Sequence, residues 1–263
     1  MLLKCSKTET NRIKGYIGSD FPCCLYLYMD LIQYGSDSEF TKSWIQTDNG
    51  EVTCVLLAYH TAMHIFARGE FNVGEIVELV KENKPSQICA AKSTIMALKE
   101  PLSDSGYEVE LGYVGKMQEG DAINSGIVKL ATINDVDDIA ALLYKDEGIG
   151  ASYTIDDLKE QFRERLSQGF VRSFIIRDGE RIVAHLGTGA EADNVCVVTY
   201  VITDENYRGR GYAKEMYQVA CHELHKDGKE IYAVYYVDSA IKLHHKVGFK
   251  DCCEYGKLFI KTH

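Results

Sequence analysis

The sequence predicts an α/β protein with a mixed sheet, in two domains. Strand-like and helix-like segments alternate along the chain. Val195–Thr203 reads Val-Cys-Val-Val-Thr-Tyr-Val-Ile-Thr, the β-branched and aromatic composition of a strand, and behind it Ala213, Met216, Tyr217, Ala220 and Leu224 fall at i, i+3, i+4, i+7 and i+11 of one helix face. A hairpin signal stands before them, two apolar runs within 174–185 joined by Asp178-Gly179. Length gives the third observation: 263 residues, 46% hydrophobic, can bury a sizeable core and suit two modest domains. The polar stretch Lys116 to Gly126, with two glycines, reads as the connection, so the expected division is 1–118, a linker over 119–126, and 127–263.

In the first part, residues 52–59 have the composition of a buried strand after the turn Asp48-Asn49-Gly50, and 64–67 can pair with it. Residues 75–82 are helical, with Ile76, Val77 and Val80 on one face, and Lys84-Pro85 ends them. Then come a strand over 87–91, a short helix over 93–98 and a strand over 109–114. In the second part, 127–131 reads as a short strand. Thr132-Ile-Asn-Asp135 and Thr154-Ile-Asp-Asp157 each open a helix with a capping-box pattern. After the hairpin and the strand–helix pair, 231–237 forms another strand and 240–249 the last helix, closing on Lys246-Val-Gly248-Phe249.

Chemistry concentrates in Asn206-Tyr-Arg208-Gly209-Arg210-Gly211-Tyr212-Ala213, between the strand and its helix. Glycine lets backbone N–H groups approach an anion, a helix's first turn points its N–H groups outward, and arginine adds charge and fork geometry. This is a diphosphate cradle. A Walker loop requires Lys-Ser or Lys-Thr where Tyr212-Ala213 stands, and a dinucleotide fingerprint requires a small residue where Lys214 stands. The remaining pattern, Arg-x-x-Gly-x-Ala, resembles the coenzyme A loop of the GNAT family of N-acetyltransferases. The resemblance covers about 126–263 in the family's element order, and 201–213 is closest to the branch called FR47-like, which includes glycine N-acyltransferases. The first part resembles a shortened, degenerate copy of the same fold, with Phe71-Asn-Val-Gly74 and no arginine where the cradle would be.

The resemblance implies acyl transfer from acetyl-CoA to an amine by direct attack. It places the pyrophosphate on Arg208, Gly209, Arg210, Gly211, Tyr212 and Ala213, and the pantetheine arm beside Val201, Ile202 and Thr203, with an unspecified N–H of that strand polarising the thioester. Relatives use a tyrosine in the last helix to protonate the leaving thiolate; this chain has His244 there. Two readings stand: His244 as acid or relay, or as a histidine filling tyrosine's space. Val237 replaces a common asparagine, and Ser239 either supplies that contact or only caps the helix. For the general base, Glu191 and Asp193, placed in the loop before the strand, and Tyr200 on it are candidates, each with an ordinary structural reading.

Other classes are disfavoured. A net charge of −10 does not suit nucleic acid or an anionic membrane, both of which need a basic face. No segment approaches a membrane span or a signal peptide, and nine cysteines without Cys-x-x-Cys read as reduced thiols, so a soluble cytoplasmic protein is expected. His60/His64 and His222/His225 lack the further ligands of a metal site. The expected partners are a small-molecule or peptide amine and a second copy of the chain. Two alternatives remain: a CoA-binding sensor without turnover, and a two-domain interaction protein.

Overall fold

The computed structural model describes residues 1–118, 125–146, 153–169, 171–192 and 194–260. The described chain forms two compact units. One comprises Met1–Val114, Tyr235–Val237 and the terminal segment 251–260; the other comprises the described residues of 115–234 and 238–250. Most of the expected linker, 119–124, lies outside the described residues.

The first unit begins with β1 (Leu2–Lys4), α1 (Thr10–Ile17), α2 (Leu25–Tyr34), β2 (Thr41–Asp48), β3 (Glu51–Tyr59) and β4 (Ala62–Ala67). It continues through α3 (Val73–Asn83), β5 (Gln87–Ala91), α4 (Lys92–Lys99) and β6 (Glu108–Met117). Asn49 (φ 50°) and Gly50 (φ 88°) turn the β2–β3 hairpin, both in the left-handed region that two-residue hairpin loops require. Side-chain alternation along β3 explains the layering. Cys54 and Leu56 pack with Ile76, Val80, Ile95 and Leu98 of α3 and α4, while Val55 and Leu57 pack with Ile13, Ile17, Leu27 and Leu31 of α1 and α2. Helices therefore cover both faces, and the strand's centre is a continuous apolar run.

The second unit contains β7 (Val128–Leu130), α5 (Val136–Tyr144), α6 (Ile155–Gln168), β8 (Ser173–Asp178), β9 (Arg181–Ala192), β10 (Val195–Thr203), α7 (Tyr212–Lys226), β11 (Glu230–Tyr235) and α8 (Asp238–Val247). Both expected capping boxes are present, at Thr132 and Thr154. One face of the sheet is covered by Val136, Ile139, Leu143, Leu158 and Phe162 of α5 and α6. On α7, Met216, Tyr217, Ala220 and Leu224 are buried, the helix face read from the sequence.

Element order is the same in both parts: strand, two helices, three antiparallel strands, helix, parallel strand, helix. The first part is thus a full copy of the fold, not the shortened one expected; β1, α1, α2 and β2 supply what the sequence reading lacked. A final strand, β12 (Phe249–Phe259), was also unanticipated. It pairs antiparallel with β5 of the first unit, Tyr255↔Ala91 through Phe259↔Gln87. The expected grouping of all of 127–263 therefore does not describe the packing, because 251–260 hydrogen-bond into the first unit's sheet.

Candidate functional site

The cradle is built by local rules. Beyond β10, the Asp204 carboxylate accepts from the Asn206 N–H at 3.1 Å and from Asn206 Nδ2 at 3.3 Å, capping a short 3-10 turn over Glu205–Tyr207. Arg181 forms an ion pair with the same carboxylate, whose residue is 6% exposed. Burial opposes ionisation of Asp204, but the Asn206 N–H and Arg181 outweigh it and hold the carboxyl below its usual range. The sequence reading missed this latch; its signal was an Asp directly after a strand and two residues before Asn206.

The loop then turns on Gly209 (φ 79°) and Gly211 (φ 84°). A Cβ at either position would meet nothing within 4 Å, so glycine is required by conformation and not by crowding. Arg208 donates from Nε to the Thr203 carbonyl at 3.1 Å, and the Arg210 guanidinium lies 4.7 Å from the centre of the Tyr207 ring. Tyr207 is itself bonded to Asp178 at 2.6 Å. Both arginines and both glycines are exposed. Gly211 is the N-cap of α7, no side chain caps that end, and the Glu215 N–H bonds the Gly211 carbonyl at 3.1 Å. The N–H groups of the first turn have no partner inside the helix and face outward.

The corresponding end in the first unit is closed. Asn72 Oδ1 accepts from the Glu75 N–H at 3.3 Å. Gln46, 1% exposed, accepts from the Asn72 N–H at 2.8 Å and donates to the Asn72 carbonyl at 3.0 Å and to Glu75 at 2.9 Å. Side chains of the chain itself, one a carboxylate, occupy the start of α3.

β10 pairs in parallel with β11 from Val195↔Glu230 to Val198↔Ala233, and past that register Ile202 and Thr203 pair with His185 and Ala184 of β9. Ile202 is buried against α5 and α6, while Val201 and Thr203 are half-buried. Arg208 to Ala213 thus joins Thr203 in one continuous edge. Ser239 is exposed on the first turn of α8 and has no hydrogen bond to that edge among the described residues.

His244 is buried on α8. Its Nδ1 lies 2.7 Å from the Ala240 carbonyl and its Nε2 2.6 Å from the Tyr217 hydroxyl on α7. A carbonyl only accepts, so Nδ1 carries the hydrogen; the ring packs edge-on against Phe249. Burial pushes its pKa down to about 4. The ring offered by the sequence as an acid is therefore neutral at pH 7, with Nε2 accepting the tyrosine hydroxyl.

The base candidates are also relocated. Glu191 lies in β9, not in a loop, and makes a two-pronged ion pair with Arg172, at 3.0 Å to Nε and 2.7 Å to Nη2, while accepting from Thr188 at 2.8 Å. Those bonds give it a structural role. Asp193 lies outside the described residues. Tyr200 sits at φ 53° with its ring 5.5 Å from that of Phe162. Among the described residues no group of His, Cys, Asp and Glu could hold a metal ion, and no helix is long and apolar enough to cross a membrane.

Residues 135–249 match the sequence profile of the acetyltransferase (GNAT) family. No curated protein matches the chain. Among solved structures, a Drosophila protein aligns at 10% identity over 100% of this chain and 99% of its own, with TM-score 0.69. A GCN5-related N-acetyltransferase from Sphaerobacter thermophilus aligns at 13% identity over 100% and 96%, with TM-score 0.65. A tandem GNAT protein of the clavulanic acid biosynthesis pathway aligns at 9% identity over 100% and 98%, with TM-score 0.59. At these identities the likeness is one of fold, and it spans both copies. The segment 135–249, which holds the glycine–arginine loop, β10 and the Tyr217–His244 pair, is a domain of the GNAT acetyltransferase family.

Proposed function

We propose that the chain is an acyl-CoA-dependent N-acyltransferase, moving an acetyl group from acetyl-CoA to an amine by direct attack. The observation that carries this reading is the contrast between two helix ends at the same point of two copies of one fold. Each helix has one acid in its first turn, Glu75 and Glu215, so the difference lies in the cap: the start of α3 is closed by Asn72 and Gln46, whereas the start of α7 is uncapped and preceded by two positive-φ glycines and two exposed arginines. Only the second suits a diphosphate. The bound coenzyme would supply the acyl group as a thioester, activated toward a nitrogen nucleophile. The backbone of Gly209 to Ala213 with Arg208 and Arg210 would hold the diphosphate, and Val201, Ile202 and Thr203 would line the pantetheine arm. Ser239 is assigned the contact that asparagine makes in relatives.

His244 is reassigned from acid to positioning residue. It receives the Tyr217 hydroxyl and so ties α7 to α8. A thiol has an ordinary pKa near 8.5, so a leaving thiolate needs no strong acid near neutral pH. His244→Phe keeps the ring packing but removes the 2.6 Å bond of a fully buried hydroxyl. We expect a stability loss of about 1–3 kcal/mol, turnover lower by roughly tenfold and CoA affinity within about threefold of wild type. A limb near pH 6.5 in the wild-type rate profile that vanishes in this variant would restore the acid role.

Asp204→Ala releases the turn that precedes Arg208. Acetyl-CoA affinity is expected to fall on the order of tenfold by calorimetry, with a stability loss of about 1–3 kcal/mol, because a charged group holding several hydrogen bonds is lost at the base of the loop.

The acceptor is an amine of a small molecule or peptide, and we place the protein in the cytoplasm, where its nine cysteines, none in a disulfide, stay reduced. The motif over 201–213 puts it beside the glycine N-acyltransferases. The first unit is read as a copy without coenzyme that shapes the acceptor side or a contact between two chains. The second reading, a CoA sensor without turnover, is favoured by His244 and Val237 at positions where relatives carry tyrosine and asparagine. Titration with acetyl-CoA followed by an amine screen separates them. Binding with amine-dependent release of CoA supports the transferase, binding without release across many amines supports the sensor, and no binding at high ligand concentration overturns both.

A further inference from the structure

The strand assigned to the coenzyme's arm is bent at one residue, and a histidine unused above holds the bend. Between Thr199↔Gly187 and Ile202↔His185, β10 advances three residues while β9 advances two, so β10 carries one extra residue. Tyr200 absorbs it at φ 53°, a region that residues with a Cβ avoid. His185 Nδ1 lies 2.8 Å from the Tyr200 carbonyl, and Nε2 lies 3.1 Å from Ser173 Oγ. The carbonyl can only accept, so Nδ1 donates. Burial pushes the ring's pKa down to about 4, so it is neutral and Nε2 accepts the Ser173 hydroxyl.

The surroundings are built for this ring. His185 and Ser173 are both buried. Gly187 leaves the ring its space: a Cβ there would stand 3.0 Å from His185 Cε1. Phe162 closes it from α6, its ring edge-on to His185 at 5.7 Å and against Tyr200 at 5.5 Å.

All described peptide bonds are trans, and in a trans peptide the C=O and the following N–H point in opposite directions. With the Tyr200 carbonyl held on the His185 ring, the Val201 N–H points away from that ring, at a level where the β10–β11 register has already ended at Val198↔Ala233. We propose that His185 and Ser173 are positioning residues for acyl transfer: they hold the Tyr200 carbonyl on the His185 ring and so aim the Val201 N–H at the thioester carbonyl, where it stabilises the developing oxyanion. This rests on the coenzyme reading given above. Preorganised backbone donors of this kind act because they need no reorientation as charge develops.

Three variants of the full chain test the lock. His185→Leu removes both bonds, His185→Asn restores a donor at the Nδ1 position, and Ser173→Ala removes only the outer support. We expect His185→Leu to lower kcat about 100-fold, with the Kd for CoA within about threefold of wild type, as for loss of an oxyanion donor. His185→Asn should recover roughly tenfold of that loss, and Ser173→Ala should fall between it and wild type. A readout independent of turnover is the Val201 amide proton by NMR. It should move downfield when acetyl-CoA replaces CoA on the wild-type chain, and stay in place in His185→Leu.

Wild-type kcat with an intact Val201 shift in His185→Leu would overturn the lock while leaving the coenzyme reading standing. Parallel loss of kcat and CoA affinity that His185→Asn does not recover would mark general unfolding of the His185 variants, and Ser173→Ala then decides: a lowered kcat at unchanged CoA affinity supports the lock and an unchanged kcat overturns it. Absence of CoA binding by the wild-type chain would instead overturn the coenzyme reading, and this inference with it.

Discussion

Gly211→Val is expected to lower acetyl-CoA affinity by at least about 100-fold while leaving the melting temperature nearly unchanged. The residue sits at φ 84° on the N-cap of α7, where a β-branched side chain cannot follow the glycine conformation, so the loop must re-route and the first-turn N–H groups lose their aim. Each charge-assisted hydrogen bond contributes about 1.5–3 kcal/mol, so losing two costs about 3–6 kcal/mol, or about 10²–10⁴ in affinity. The helix dipole, at about 0.3–1 kcal/mol, is too small to rescue it. A matched control is available. Gly106 has φ 77° and equally open surroundings but belongs to the first unit and to no part of the assigned loop, so Gly106→Val applies the same kind of backbone strain and should leave affinity intact. Undiminished binding in Gly211→Val would sink the pyrophosphate assignment.

The strand–glycine–helix turn over 195–224 was legible because it is local. Strand composition, two glycines and a helix face lie within thirty consecutive residues, and the strands over Val195–Thr203 and Gln87–Ala91 fall where composition put them. What escaped the sequence was either polar in composition or distant in the chain. β2 buries Ser43 on one face and Gln46 on the other, and both are admissible there only because hydrogen bonds satisfy them, Ser43 to the Ser36 carbonyl at 2.6 Å and Gln46 to Asn72 and Glu75. α2 buries Leu25, Leu27, Met29 and Leu31, on more than one side, so it lacks the single stripe that marks a helix. β12 carries exposed Lys250, Asp251 and Glu254 beside buried Tyr255 and Leu258, a pattern that resembles a loop until β5 is placed next to it.

The same distance hid the site's supports. The pairs Arg181–Asp204, Ser173–His185 and Tyr217–His244 are 23, 12 and 27 residues apart, and none belongs to a local motif. Glu191 shows the converse error. Read alone it was a solvated acid available as a base; the fold gives it Arg172 and Thr188, whose donors engage both of its oxygens in a structural network.

Acidification from pH 7 to pH 5 is expected to cost this protein several kcal/mol of stability through three histidines. His64, His185 and His244 are buried, and burial pushes each pKa down to about 4. In the unfolded chain each returns to about 6.5. Between those values the unfolded state binds more protons than the folded state, so this stability is whole above about pH 6.5 and is lost as pH falls toward about 4. One such group contributes a slope of up to about 1.4 kcal/mol per pH unit; the two in the second unit together give up to about 2.7, and over the whole window about 7 kcal/mol. That rivals the roughly 5–15 kcal/mol that holds a typical domain folded. His64 should contribute less, because an Asp30 carboxylate oxygen 3.5 Å from its Nε2 favours the protonated ring. The carboxyls of Asp135, Asp204 and Glu230 are held below their usual range and lose their contribution only at lower pH, so the interval from pH 7 to 5 isolates the histidines. Urea midpoints at pH 7, 6 and 5 measure the slope. His185→Asn and His244→Phe should each flatten it by up to one proton, and a wild-type midpoint that stays constant across the interval would show that these rings protonate without leaving the folded state.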